Sequence, residues 1–150
     1  MLSISTANKS IVGTSIFLSN QVLSFGNSIR RKCIVTLLVS LCLNKNSQFK
    51  NRIFSTKEIK YCDLKTNKIA CYSKRFAAKE AFTKALGTGI SKGISFNEIS
   101  INNNKNGSPF IELTGKTKTI VKNLIKSKNK IYLSLSDEKK YALAMVIIGY

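Results

Sequence analysis

At 150 residues the chain is sized for one hydrophobic core, and no internal boundary demands a second. Its 25 Lys and Arg stand against 7 Asp and Glu, and the resulting net charge of +18 draws polyanions such as nucleic acid, anionic lipid, an acidic protein or a nucleotide cofactor. With no histidine, Ser-His-Asp and Cys-His sites are excluded, and four scattered cysteines without a C-x-x-C pair argue against zinc.

The first 46 residues hold no acid, and the first carboxylate is Glu58. Serine is frequent from Ser3 to Ser28. Arg30-Arg31-Lys32 then precedes the apolar run Cys33-Ile34-Val35-Thr36-Leu37-Leu38-Val39-Ser40-Leu41-Cys42-Leu43. A serine-rich, acid-poor start resembles an organelle transit peptide, and a basic cluster before a short apolar run resembles a secretory signal. The run is shorter than the ~20 apolar residues that span a membrane, and Ile34, Val35, Leu37, Leu38 and Val39 suit a buried strand equally well.

Residues 55–62 predict a short helix opened by Ser55 or Thr56, with Glu58 in its first turn. Residues 67–86 predict a longer one. On it, Ala77, Ala81 and Ala85 share a stripe of small residues that lets another element approach closely. Phe76, Glu80 and Lys84 share the adjacent stripe. Gly87 is a natural left-handed stop. Spacing alone reads Glu80 and Lys84 as a surface pair worth a few tenths of a kcal/mol. Cys62 and Cys71 flank a helical region and read as core thiols in a reducing compartment. Residues 94–101 alternate apolar and polar, which predicts a half-buried strand. A turn dense in Asn and Gly follows over 102–109, then a strand over 110–113. Ile120, Val121, Leu124 and Ile125 predict a helix over 117–125. Residues 131–136 and 141–148 predict an antiparallel pair around a turn at 137–140. Helices segregated on a mainly antiparallel sheet make the fold class α+β. No nucleic-acid module is recognisable, and the aromatics are not interleaved with basic residues as a stacking platform needs.

The block Lys74-Arg75-Phe76-Ala77-Ala78-Lys79-Glu80-Ala81-Phe82-Thr83-Lys84-Ala85-Leu86-Gly87-Thr88-Gly89 resembles the signature of the holo-acyl-carrier-protein synthase family, the 4′-phosphopantetheinyl transferases of fatty-acid biosynthesis. Other blocks resemble the family in its own order. They are Asn51-Arg52-Ile53-Phe54-Ser55-Thr56-Lys57-Glu58-Ile59, then Gly93-Ile94-Ser95-Phe96, the turn Asn103-Asn104-Lys105-Asn106-Gly107-Ser108-Pro109, and Leu133-Ser134-Leu135-Ser136-Asp137-Glu138 with Tyr141-Ala142-Leu143-Ala144. The resemblance covers residues 47–150, which form the expected transferase domain, and leaves residues 1–46 as an unmatched segment.

The resemblance implies transfer of 4′-phosphopantetheine from coenzyme A to a serine of an acidic acyl carrier protein, with Mg²⁺ as metal. The serine hydroxyl attacks the β-phosphorus and adenosine 3′,5′-bisphosphate leaves. It implies Glu80 as metal ligand and Lys84 as the catalytic lysine, also in contact with coenzyme A. Arg75 and Lys79 fall where phosphates bind, Gly87 and Gly89 where the backbone nears the ligand, and Pro109, Ser136 and Asp137 where the nucleotide part is contacted. It further implies a cytoplasmic homotrimer with active sites between subunits, where Ala142, Ala144 and Val146 line a contact or else form a plain core strand. Neither nucleic acid nor membrane is an expected partner. Family members open with a Gly-x-Asp-Ile strand whose aspartate is the second metal ligand, and an arginine-bearing helix follows it. Gly13-Thr14-Ser15-Ile16 is the nearest echo, with serine at the aspartate's place and too far upstream to align; the helix is not visible. A shifted frame or miscalled start, a decaying gene, and natural divergence each account for this, and the abrupt loss of match favours the first two. The expectation is therefore an impaired enzyme. Two alternatives stand beside it: an inactive homologue that binds coenzyme A or acyl carrier protein, and a basic RNA-binding protein.

Overall fold

The computed structural model describes residues 11–18, 47–125, 129–138 and 141–149. The run from Cys33 to Leu43 and the basic residues before it lie outside the described residues, as do residues 139–140 of the expected last turn. The element order is β1 (Ile11–Leu18), α1 (Ser47–Ile53), α2 (Thr56–Asp63), α3 (Lys68–Ala85), a 3-10 turn (Phe96–Glu98), β2 (Ile99–Asn103), β3 (Pro109–Leu113), α4 (Gly115–Leu124), β4 (Lys130–Glu138) and β5 (Tyr141–Gly149). Among the described residues β1, β5 and β4 form one antiparallel sheet, in that order, and β2 and β3 form a separate hairpin. The class is α+β, as the sequence predicts.

Local chemistry sets the helix ends. Ser55 and Glu58 form a reciprocal capping box on α2: the Glu58 N–H donates to Ser55 Oγ at 3.3 Å, and the Ser55 N–H donates to Glu58 Oε2 at 2.8 Å. Asn67 Oδ1 accepts from the Ala70 N–H at 3.0 Å and opens α3. Gly87, at φ 71°, closes α3 with its N–H on the Lys84 carbonyl, and Gly89 follows at φ 58°.

The small-residue stripe carries the main packing contact. Ala77, Ala81 and Ala85 are 0% exposed, and with Ala78 and Phe82 they share a core with Ala142, Ala144, Val146 and Ile148 of β5. Burial alternates along β5, with Leu143 and Met145 outward, as period-2 geometry requires. Ala142, Ala144 and Val146 are thus core residues facing α3 within one chain, and not an exposed lining for a neighbour.

Several expectations are corrected. Residues 94–98 are not strand, and β2 starts only at Ile99. The backbone bends into the 3-10 turn because the Phe96 carbonyl accepts from Lys79 Nζ at 2.8 Å, and Glu98 turns away to cap α4. Cys62 and Cys71 are a disulfide and not free thiols. The end of α2 and the first turn of α3 converge there, sealed under Phe54 and Tyr72 in a second small core. Helix α1 was not expected. Residues 11–18, part of the segment left unmatched, pair with β5 along its length, and Ser15 stands opposite Ala144.

Candidate active site

Helices α2 and α3 and the β2–β3 hairpin border a half-open cavity of about 370 Å³ lined by Lys57, Tyr61, Arg75, Asn102, Phe110 and Glu112, among others. Arg75 is its deepest charge, at 4% exposed. Its Nη1 donates to the Cys71 carbonyl at 3.3 Å and meets Cys71 Sγ at 3.1 Å, and its guanidinium lies 4.4 Å from the centre of the Tyr61 ring. Its Nε has no partner among the described residues. Burial pulls the Arg75 pKa down, and the nearby Glu58 charge opposes that pull; an arginine still stays cationic at neutral pH. The Nε is sealed from solvent, so it is through its charge that a guanidinium lining a cavity draws an anion.

One turn further along α3, Lys79 is wholly buried. Its Nζ donates to Glu58 Oε2 at 2.7 Å, to the Ile53 carbonyl at 2.7 Å and to the Phe96 carbonyl at 2.8 Å. An ammonium has three donors, so none remains for a ligand. Glu58 is equally occupied: Oε2 also accepts from the Ser55 N–H, and Oε1 accepts from the Ile101 N–H at 3.1 Å. Burial pushes the Lys79 pKa down to about 8, against the pull of Glu58. Lys79, expected at the phosphates, instead ties α1, α2, α3, the 3-10 turn and β2 together.

Glu80, next in sequence, lies on another face of α3. Its side chain is 30% exposed, and Oε1 sits 3.5 Å from Lys84 Nζ, whose side chain is 54% exposed. The acid is therefore half-exposed and paired with Lys84 on the helix surface. Gly87 and Gly89 lie just beyond, with open space where a Cβ would stand. Pro109 starts β3 opposite Asn103, at the cavity's hairpin side. Ser136 and Asp137 lie near the end of β4, opposite Leu143 and Ala142. Within one chain, Arg75 lines the cavity, while Glu80, Lys84, Gly87, Gly89, Ser136 and Asp137 do not.

Among the described residues, no three of His, Cys, Asp and Glu gather closely enough to hold a metal ion. That donor set does not fit a protein-only cage. It does fit one carboxylate, Glu80, on a hard cation that takes its other ligands from water and phosphate oxygens. No helix among the described residues is long and apolar enough to cross a membrane.

Sequence reasoning missed Lys57, Tyr61, Asn102 and Glu112 as cavity residues. Lys57 Nζ pairs with Glu112 Oε2 at 2.9 Å, and Asn102 Nδ2 donates to the same oxygen at 2.8 Å. Lys57 holds the Glu112 pKa below the usual glutamate value. No spacing rule links residues from a helix and two strands. Glu58 was legible as a helix-opening acid, but not as the partner of Lys79.

Residues 40–146 match the 4′-phosphopantetheinyl transferase superfamily. A holo-[acyl-carrier-protein] synthase of Pelagibacter ubique is 50% identical over 105 residues, covering 69% of this chain and 82% of that protein. The crystal structure of holo-[acyl-carrier-protein] synthase from Neisseria meningitidis shares the fold at TM-score 0.68 and 29% identity, over 91% of this chain and 95% of that one. The Bacillus anthracis holo-(acyl-carrier-protein) synthase in complex with CoA (3′,5′-ADP) does so at TM-score 0.64 and 26% identity, over 92% and 94%. With that extent of shared sequence and shared fold, the chain belongs to the 4′-phosphopantetheinyl transferase superfamily.

Proposed function

We propose that this chain is a holo-acyl-carrier-protein synthase, which moves 4′-phosphopantetheine from coenzyme A to a serine of acyl carrier protein. The observation that carries the reading is the layout of α3. Arg75, with an unused buried donor, and the Glu80–Lys84 pair stand on one rigid helix. Arg75 and Glu80 are separated by roughly 7.5 Å of helical rise. The two lie on different faces of the helix and only Arg75 lines the cavity, so a ligand that meets both must run from the cavity round α3; the related Bacillus anthracis enzyme is in complex with CoA (3′,5′-ADP).

In this reading Arg75 binds a phosphate at the nucleotide end. Lys84 stabilises charge on the diphosphate or relays the proton released by the attacking serine. Glu80 would hold Mg²⁺, which when bound neutralises charge on the diphosphate. Gly87 and Gly89 leave open backbone beside the ligand. Lys79 takes no part, because its donors are spent. Pro109 borders the cavity from the hairpin of its own chain, and Ser136 and Asp137 join the site across subunits of a homotrimer. The outward face of the β4–β5 pair, with Tyr132 56%, Leu143 38% and Met145 40% exposed, is the apolar surface such neighbours would cover. The setting is cytoplasmic, the transferase domain takes in residues 47–150 together with β1, and the acidic carrier meets a strongly basic protein.

The weak point is the second metal carboxylate. β1 carries no carboxylate, Ser15 on it is the nearest echo of the family's aspartate, and α3 packs across β1 and β5. With one carboxylate where the family has two, Mg²⁺ is held more weakly and the expected transfer is slow. The test is titration calorimetry with coenzyme A beside a carrier-loading assay read by mass. Binding with slow loading, accelerated by Ser15→Asp at limiting Mg²⁺, supports the reading. Absence of coenzyme A binding defeats it, and fast loading by the unaltered chain defeats the metal defect.

A further inference from the structure

The cavity holds a charge arrangement that this reading does not use. Arg75 is immobile: it is buried, held by the Cys71 carbonyl and stacked on Tyr61. Lys57 is the mobile cation. Its side chain is 69% exposed and reaches over the rim to Glu112, itself 37% exposed, at 2.9 Å. An exposed pair of this kind is weak and exchanges partners readily. Glu112 has a second partner in Asn102 Nδ2 at 2.8 Å, so it keeps a hydrogen bond when Lys57 leaves.

We infer that the Lys57–Glu112 pair is a displaceable bolt at the rim of the anion cavity, and that Lys57 exchanges the Glu112 carboxylate for a phosphate of the nucleotide seated on Arg75. Glu112 then acts as a built-in competitor. It occupies Lys57 before the ligand arrives and repels the ligand's charge afterwards. Small inorganic anions are penalised most, since they offer one charged group against this competition. A ligand that also fills the cavity against Phe110 and Tyr61 recovers the cost by burial. Glu112 thus sets selectivity without touching the reacting atoms.

The inference rests on coenzyme A using this cavity, and the test separates the two. Adenosine 3′,5′-bisphosphate is titrated into the wild-type chain, Glu112→Gln, Lys57→Met and the double variant, at low and moderate salt. Glutamine still accepts from Asn102, and both residues are exposed, so all four proteins should fold. Glu112→Gln should bind about two- to fivefold tighter than wild type, Lys57→Met looser by a similar factor. The Glu112→Gln gain should shrink on the Lys57→Met background and with rising salt. Inorganic phosphate should gain at least as much from Glu112→Gln as the nucleotide does. If the wild type binds and Glu112→Gln binds equally or more weakly, the bolt is refuted while the coenzyme reading stands. If the wild type does not bind the bisphosphate at all, the coenzyme reading itself falls and takes the bolt with it.

Discussion

Replacing Lys79 with methionine keeps most of the aliphatic stem and deletes the ammonium. Three acceptors lose their donor at once: Glu58 Oε2, the Ile53 carbonyl and the Phe96 carbonyl. The Glu58 side chain is 0% exposed, so its charge cannot turn to water. It retains only the Ser55 and Ile101 N–H groups. Removing one partner of a buried pair costs about 3–5 kcal/mol, because the other charge stays buried and uncompensated. At this chain length each kcal/mol lowers Tm by about 2–4 °C, so Lys79→Met should melt about 6–20 °C below wild type. The assay is a thermal melt followed by circular dichroism, with urea unfolding as a second measure. Adding Glu58→Gln should give back part of the loss, since the stranded charge is gone while an acceptor for Ser55 remains. A Lys79→Met chain within about 1 kcal/mol of wild type would refute the buried network.

Other outcomes follow from the same geometry. Gly115 opens α4 at φ 55°, and a Cβ there would lie 2.1 Å from Glu98 Oε1. Gly115→Ala should therefore lower the urea midpoint by the equivalent of about 1–3 kcal/mol, and an unchanged midpoint would show that the loop relaxes freely. Thr117, through its side chain and its N–H at 2.8 Å, and the Lys116 N–H hold the Glu98 pKa below the usual glutamate value. The folded value lies below the unfolded one, so this contribution is full above the unfolded pKa and is lost as pH falls through the folded one. Wild-type stability should then fall more between pH 6 and 3 than that of Glu98→Gln, each range being about the glutamate region; parallel profiles would remove the cap. The Cys62–Cys71 bond closes a short loop, at a sequence separation of 9. Reduction, or Cys62→Ser with Cys71→Ser, should cost about 2–3 kcal/mol in urea unfolding. Alkylation of both Cys62 and Cys71 in the native, unreduced protein, read by peptide mass mapping, would contradict the bond.

Much of the fold is legible along the chain. The helix opening at Ser55 or Thr56 with Glu58 in its first turn, the alanine stripe at Ala77, Ala81 and Ala85, the Gly87 stop and the asparagine-rich turn are all local signals. The elements they mark form within about two residues of where the pattern puts them. The alternating run at 94–101 misled because period 2 records which side chains are buried and not whether the backbone has a strand partner. There the Phe96 carbonyl is taken by Lys79 from across the core. The cysteines misled for a related reason: their spacing carries no information on whether two helix ends converge.

The sequence by itself determined the family, through the block around Glu80, the α+β class and the identity of the helix that bears Arg75, Glu80 and Lys84. Those depend on residue order and short periods, which a linear chain displays. Only the tertiary structure decided that Lys79 is sealed against Glu58, that Arg75 keeps a donor beside a cavity, and that Lys57 and Glu112 meet at its rim. Each of these joins residues far apart in the chain. Whether a lysine serves a ligand or the core depends on burial and on which acceptors packing brings within reach, and no local pattern encodes either.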